Sequence, residues 1–338
     1  MSSHVTTAEK GRLRDVARIN FRFSGDGRYA ACLARRGRGH LVPEVWDVAD
    51  ARPRTLPTRA GETSASVPTP TDGGDVLLCR AGADGHRDDD GPPRHPERLN
   101  AFDGEVTPLA LNPSGRRLAL AVNRRTRSHL VLHDLAEDAG AEAGLPAGVI
   151  HPAARWNTGG LHLVHSAPDR PAGLVGIAGC SVSRPPAADG ETSPARVLPC
   201  PGAAGPIEAI VYGDPATSRR VVVALHGGPE AAWRFAHEPL FQRLSGAGIA
   251  VVAPNQRGST GYGAAHRDAI RDAWGGPDLA DVLALGHALV AARDPGEPRP
   301  MVYGASYGAY LALLACAAQA DLWSRAAVVA PFLSGREL

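Results

Sequence analysis

Residues 304–310 read Gly-Ala-Ser-Tyr-Gly-Ala-Tyr, with Ser306 set between Gly304 and Gly308. Serine becomes a useful nucleophile when a sharp turn holds its hydroxyl clear of the backbone, nearby amides bind an oxyanion and a base takes its proton. The pattern alone is weak in a chain with 39 glycines, because an ordinary serine in a glycine turn satisfies it too. Its neighbours are more telling. PMVYGA before Ser306 reads as a short strand, and YLALLACAAQA after it reads as a buried helix. A serine on a strand-to-helix turn is a nucleophile elbow, and the helix start directs N–H groups and positive dipole at developing negative charge. A second stretch, Leu225-His226-Gly227-Gly228-Pro229, follows the run RRVVVALH. Two glycines after a buried strand turn the chain sharply and expose amides at the sheet's carboxyl edge, where an oxyanion donor is needed.

The elements around these stretches alternate. IEAIVYG and RRVVVALH read as strands, 235–247 as a helix, IAVVAP as a buried strand, DLADVLALGHALVAA as a helix and AAVVAP as a last strand. Strands alternating with helices predict a parallel sheet with helices on both faces from about residue 206 onward.

Upstream the texture differs. Turn-then-strand segments are centred on Gly27, Gly73, Gly115 and Gly159, spaced 46, 42 and 44 residues apart. Trp46-Asp47 and His133-Asp134 recur at similar distances after their glycines, each closing a second strand-like run. A period near 40 to 45 with several short strands per unit predicts a β-propeller-like domain of about four blades. An irregular all-β domain with glycines at this spacing by chance is the competing description. Residues 85–98 contain Asp88, Asp89 and Asp90 without the alternating ligand spacing of a calcium loop, so a solvated loop is expected. Residues 181–205, rich in Pro, Gly, Ser and Ala, have linker composition. The resulting division is 1–185 for the propeller-like domain, 186–205 for the linker and 206–338 for the α/β segment.

Composition sets the remaining bounds. The 338 residues are 43% hydrophobic, with a net charge of +1 and Lys10 as the sole lysine, which gives no basis for expecting a nucleic-acid or membrane partner. The five cysteines, Cys32, Cys79, Cys180, Cys200 and Cys316, are widely spaced and form no metal-ligand pattern; no metal or cofactor is expected. The first twenty residues have no apolar core of the secretory type, and no run approaches a membrane span, so a cytoplasmic protein is expected.

Four stretches then combine. LHGGP at 225–229, PNQRGSTGYG at 254–263, WGGPDLADV at 274–282 and GASYGAY at 304–310 occur in this order. Together they resemble the catalytic domain of the prolyl oligopeptidase family of serine peptidases, most of all its acylaminoacyl-peptidase and dipeptidyl-peptidase branch. The resemblance covers roughly residues 221–315. It implies a propeller ahead of an α/β-hydrolase domain, and hydrolysis of short peptides through an acyl-enzyme. It further implies Ser306 as nucleophile and the N–H groups of Gly228 and Tyr307 as the oxyanion hole. Arg257 and Tyr262 match the family's scaffolding near the site, and Trp274 and Asp281 match structural positions.

One part of the pattern is missing. In that family the aspartate and histidine follow the elbow on later loops, whereas here no histidine follows His287 and Asp321 ends the elbow helix. His226 precedes the oxyanion turn, and His237 and His266 fall on other connections. The sequence is therefore read as a shortened family member, with a nucleophile and an oxyanion hole but no base. Autonomous activity is not expected, and a further chain could cover its exposed last strand. Two alternatives stay open: a catalytically inactive, peptide-binding homologue, and an esterase of the same fold. Such esterases often carry HGGG and lack an upstream propeller.

Overall fold

Residues 104–178 and 181–183 form two antiparallel meanders because short apolar runs are separated by turns that carry Asn, Ser and Gly. The computed structural model describes residues 18–23, 28–36, 40–49, 52–55, 63–64, 69–70, 76–77, 79–81, 87–89, 104–178, 181–183 and 192–334. A first four-stranded meander consists of β1 (Arg18–Phe23), β2 (Tyr29–Arg36), β3 (His40–Asp47) and β4 (Arg52–Thr55). A second contains β5 (Glu105–Leu111), β6 (Arg117–Arg124), β7 (Arg127–Asp134) and β8 (Ala139–Ala143). A third contains β9 (Val149–Asn157), β10 (Gly160–Ala167), β11 (Arg170–Ala178) and β12 (Ser181–Ser183).

The expected glycine turns fall where they can be seen. Gly115 lies in the β5–β6 turn at φ +70°, and Gly159 lies in the β9–β10 turn. Gly27 and Gly73 lie outside the described residues. The strand Arg87–Asp89 falls within the stretch expected to be a loop, and takes in Asp88 and Asp89 by backbone pairing with Cys79–Ala81; Asp90 is outside the described residues.

A shared device marks the first two meanders. Arg28 Nε donates to Asp47 at 3.4 Å, and Arg116 Nε donates to Asp134 at 2.8 Å. Val48 N–H donates to the Arg28 carbonyl and Leu135 N–H to the Arg116 carbonyl, both at 2.8 Å. Each aspartate therefore ends its third strand by anchoring the arginine that precedes the second strand. The second and third meanders pack face to face. β6 sends Ala119 and Ala121 into a shared core with Leu130, Ile150, Leu161 and Leu163, and sends Leu118, Leu120 and Val122 to its other face. Trp156 Nε1–H donates to the Ala110 carbonyl across the two sheets at 3.1 Å.

The C-terminal sheet has six strands: β13 (Ala195–Gly202), β14 (Gly205–Tyr212), β15 (Arg220–Leu225), β16 (Ile249–Pro254), β17 (Met301–Ala305) and β18 (Arg325–Val329). Their order is β13-β14-β16-β15-β17-β18. The four strands from β16 to β18 in this order are parallel, but β13 and β14 form a hairpin that joins antiparallel to β16. The sheet is mixed rather than wholly parallel, and the stretch expected as linker contains one of its strands. Pro199 and Pro201 gave that stretch its linker look; an edge strand tolerates proline because its missing N–H costs no interior ladder bond.

Helices cover both faces, as expected. On one face α3 (Pro277–Ala291) and α4 (Tyr307–Ala318) bury Val282, Leu285, Leu311 and Ala312 against Val221, Val223 and Leu225. On the other, α1 (Pro239–Gly246) packs Phe241 on Tyr212, Ala224 and Val251. The short helix α2 is Ala264–Asp268. α1 starts later than the sequence suggests because residues 231–238 satisfy their backbone groups elsewhere: Asn255 Oδ1 accepts Trp233 N–H at 2.8 Å and the Thr126 carbonyl accepts Phe235 N–H at 2.7 Å. Among the described residues no helix is long and apolar enough to cross a membrane.

The shared meander core and the surface ion pair should differ sharply in weight. Leu163→Ala empties a fully buried site and is expected to lower stability by about 3 kcal/mol. Arg116→Ala, at a guanidinium that is 54% exposed, is expected to cost under about 1 kcal/mol. Urea unfolding of the two variants checks the contrast.

Candidate active site

The strand β17 stops at Ala305 and α4 starts at Tyr307, so Ser306 alone makes the turn. Its backbone sits at φ 52°, ψ −116°, a conformation that costs a non-glycine residue about 1–3 kcal/mol. Hydrogen bonds hold it there. Ser306 N–H donates to the Val329 carbonyl at 2.9 Å, and the Ser306 carbonyl accepts from Ala309 N–H at 2.9 Å and Tyr310 N–H at 3.1 Å. The Ser306 residue is exposed at the surface.

Small residues allow this geometry. A Cβ on Gly304 would lie 2.0 Å from the Gly308 carbonyl oxygen, and a Cβ on Gly308 would lie 2.3 Å from that of Leu225. The first turn of α4 thus rests directly on the end of β15. The double glycine follows at once: a Cβ on Gly227 would be 3.3 Å from the Ala305 carbonyl and 3.7 Å from Ser306 Cβ. Gly228 takes φ 129°, which opens the turn next to the serine. Among the described residues no backbone or side-chain acceptor takes the N–H of Gly228 or of Tyr307.

His226 lies beneath that turn. Its ring is 4% exposed, with Nδ1 2.7 Å from the Gly227 carbonyl and Nε2 2.8 Å from Ser259 Oγ. Trp233 packs edge-on against it at 6.4 Å. Burial pushes the His226 pKa down to about 4, and neither ring nitrogen faces a carboxylate. His266 Nε2 is 3.0 Å from the Gln256 carbonyl and His237 Nδ1 is 3.1 Å from the Pro168 carbonyl. No histidine among the described residues hydrogen-bonds Ser306 Oγ. Asp321 is exposed in a single 3-10 turn, Ala320–Leu322, after α4.

The scaffold residues are fully engaged. Arg257 grips the buried Asp281 twice, with Nε to Oδ2 at 2.9 Å and Nη2 to Oδ1 at 2.8 Å, and this pairing raises the guanidinium pKa. Asp281 also accepts the N–H groups of Ala203 and Arg257. Tyr262 donates to Glu208 at 3.1 Å and accepts from Asn255 Nδ2 at 2.8 Å. Trp274, 40% exposed, stands edge-on to Tyr307 at 5.3 Å. The sequence reading overlooked Ser259, Asn255 and Asp278. All three lie inside stretches that it quoted, and Asp278 looked only like an acidic helix start.

A mixed sheet carrying a serine on a strand-to-helix elbow, beside a double-glycine turn, is the arrangement of the α/β-hydrolase fold. Residues 233–337 match the prolyl oligopeptidase family model. Across 98 residues it is 38% identical to an uncharacterized peptidase, YuxL, of Bacillus subtilis, covering 28% of this chain and 15% of that protein. Across 101 residues it is 33% identical to dipeptidyl peptidase family member 6 of Caenorhabditis elegans, covering 30% and 14%. Among solved structures, a puromycin-hydrolyzing peptidase of Mycobacterium tuberculosis superposes with a TM-score of 0.69 at 21% identity, over 92% of this chain and 53% of that one. The acylaminoacyl peptidase of Pyrococcus horikoshii gives 0.71 at 18% identity, over 93% and 51%. These structures share the fold, and this chain spans about half their length.

The buried imidazole has a pH consequence. An unfolded chain protonates His226 near its ordinary value of about 6.5, whereas the folded one resists until about pH 4. Its contribution is complete above pH 6.5 and is lost as pH falls toward 4, up to roughly 3 kcal/mol. His226→Gln is expected to flatten that part of the stability profile; urea midpoints measured from pH 7.5 to 4 read the difference.

Proposed function

We propose that this chain is a serine-type peptidase of the prolyl oligopeptidase family acting on short peptides. Ser306 Oγ attacks the scissile carbonyl, its proton passes to a base, and the carbonyl oxygen gains the negative charge. The amides of Gly228 and Tyr307 receive that oxyanion; such donors contribute about 10²–10³ in rate each. Collapse of the tetrahedral species expels the amine and leaves an acyl-enzyme, which water then cleaves. The observation that carries the reading is the left-handed Ser306 turn, with Gly227 placed against Ser306 and Ala305.

The same reading takes 1–185 as a propeller-like domain, supported by the repeated Arg-to-Asp anchors, and 206–338 as the first part of the hydrolase domain, preceded by a shorter linker than the sequence suggests. The propeller would restrict access to small peptides. The base and its carboxylate come from polypeptide beyond the described residues, and β18, an exposed edge strand, offers the place where added polypeptide would lie.

A second reading is favoured by one observation, the lack of a histidine on Ser306 among the described residues: the site binds peptides without turning them over. An esterase of the same fold is the less supported alternative, since the motif is HGGP and the family match is to peptidases.

A fluorophosphonate probe separates these readings. Labelling is expected on Ser306, to vanish in Ser306→Ala, and to compete with short peptides whose cleavage is followed by mass spectrometry. Folded protein that binds peptides but neither labels nor cleaves them is the non-catalytic homologue. Labelling with hydrolysis of esters but not peptides selects the esterase.

A further inference from the structure

Asp278 is a buried carboxylate that the reaction above does not use. It occupies the first turn of α3 and is fully buried. The Tyr307 hydroxyl donates to its Oδ2, and its Oδ1 accepts Leu279 N–H at 2.9 Å. Tyr307 is the residue directly after Ser306, is 1% exposed, and opens α4. Its ring is enclosed by Trp274 at 5.3 Å, Tyr310 at 5.8 Å and Phe332 at 6.4 Å. Burial raises both the Asp278 and the Tyr307 pKa, so the phenol keeps its proton as donor.

We propose that Asp278 is a positioning residue: it holds the Tyr307 phenol and thereby fixes the elbow turn that presents the Tyr307 amide. With the ring buried among Trp274, Tyr310 and Phe332, the side chain has little room to turn by itself, so holding the hydroxyl also restrains the backbone that carries the N–H. The next turn on the same face of α3 supports this geometry. Asp281, one turn along α3, is bound by Arg257 from the loop after β16. The start of α3 therefore ties that loop to the elbow through two carboxylates with separate partners. The inference rests on the assignment of Ser306 and Tyr307 above, and its test has a readout that does not need activity.

Amide hydrogen exchange is measured in the full chain for Ala309 and Tyr310, whose N–H groups close the elbow turn on the Ser306 carbonyl. Tyr307→Phe, which keeps the ring, and Asp278→Asn are each expected to speed exchange at these two amides roughly ten-fold. The double variant is expected to add nothing to the larger single effect, while amides later in α3, such as Leu285 and Leu289, stay unchanged. Fluorophosphonate labelling of Ser306 should slow in parallel. Unchanged exchange, independent additive effects, or an equal rise along α3 would overturn the proposal; if Asp278→Asn does not fold, Tyr307→Phe alone decides. Wild-type protein that never labels sinks the Ser306 assignment, while the exchange comparison still judges the clamp.

Discussion

Everything in the C-terminal half depends on a contact with no side chain in it. Gly308, in the first turn of α4, lies against the carbonyls of Leu225 and His226 at the end of β15. Any Cβ at that place would strike backbone, which cannot rotate away as a flexible side chain could. The approach brings the helix start, the strand end and the Gly227-Gly228 turn within a few ångströms of one another. A serine placed at that junction has nowhere to go but outward, and its left-handed backbone is the local consequence. The strain at Ser306 persists because its neighbours over-determine it: Val329 fixes its N–H from the next strand, and two helical amides fix its carbonyl.

The same constraint explains why so many polar groups are buried nearby. Backbone held in irregular shapes cannot satisfy its own donors and acceptors, so side chains must. Asn255 accepts Trp233 N–H and donates to its carbonyl at 3.0 Å. Arg293, 8% exposed, donates to the carbonyls of Pro215, Ser218 and Arg219 ahead of β15. Arg257 and Asp281 do the same for the loop after β16. A charge buried without its partner is costly, whereas a well-paired one chiefly fixes geometry. Their weight here is therefore best read as specification of loop shape.

Much of this was legible in the residues, for definable reasons. Ser306 and the double glycine stood out because their chemistry is local: a few consecutive residues determine a turn. The strands RRVVVALH, IAVVAP and PMVYGA were readable because β-branched runs buried on both faces leave a one-dimensional mark. What could not be read depended on partners distant in sequence. The edge strand Ala195–Gly202 looked like a linker because its prolines and glycine are tolerated only by virtue of where it lies in the sheet. Residues 235–238 looked helical because nothing local announces that the Thr126 carbonyl will take the Phe235 N–H. Asp278 was hidden for the same reason: its partner lies 29 residues away.

The meanders also reach into the site's support. Arg125, in the β6–β7 turn at φ 52°, donates its N–H to the Gly261 carbonyl at 3.0 Å and its Nη1 to Glu208 at 2.6 Å. Glu208 accepts from Tyr262, whose hydroxyl accepts from Asn255, and Asn255 holds Trp233. Arg234 Nη2 donates to Asn123 Oδ1 at 2.7 Å, so the chain just beyond the double glycine is pinned from the meander side as well. The sheet alone therefore does not determine the shape of the segment that follows the oxyanion turn. That segment is enclosed between β16 and the β6–β7 turn, and its side chains bridge the two. Any shift of the meanders against the sheet would be felt first at Trp233 and Arg234, five and six residues from Gly228. The upstream repeats are thus part of the physical definition of the turn, as well as a neighbour to it.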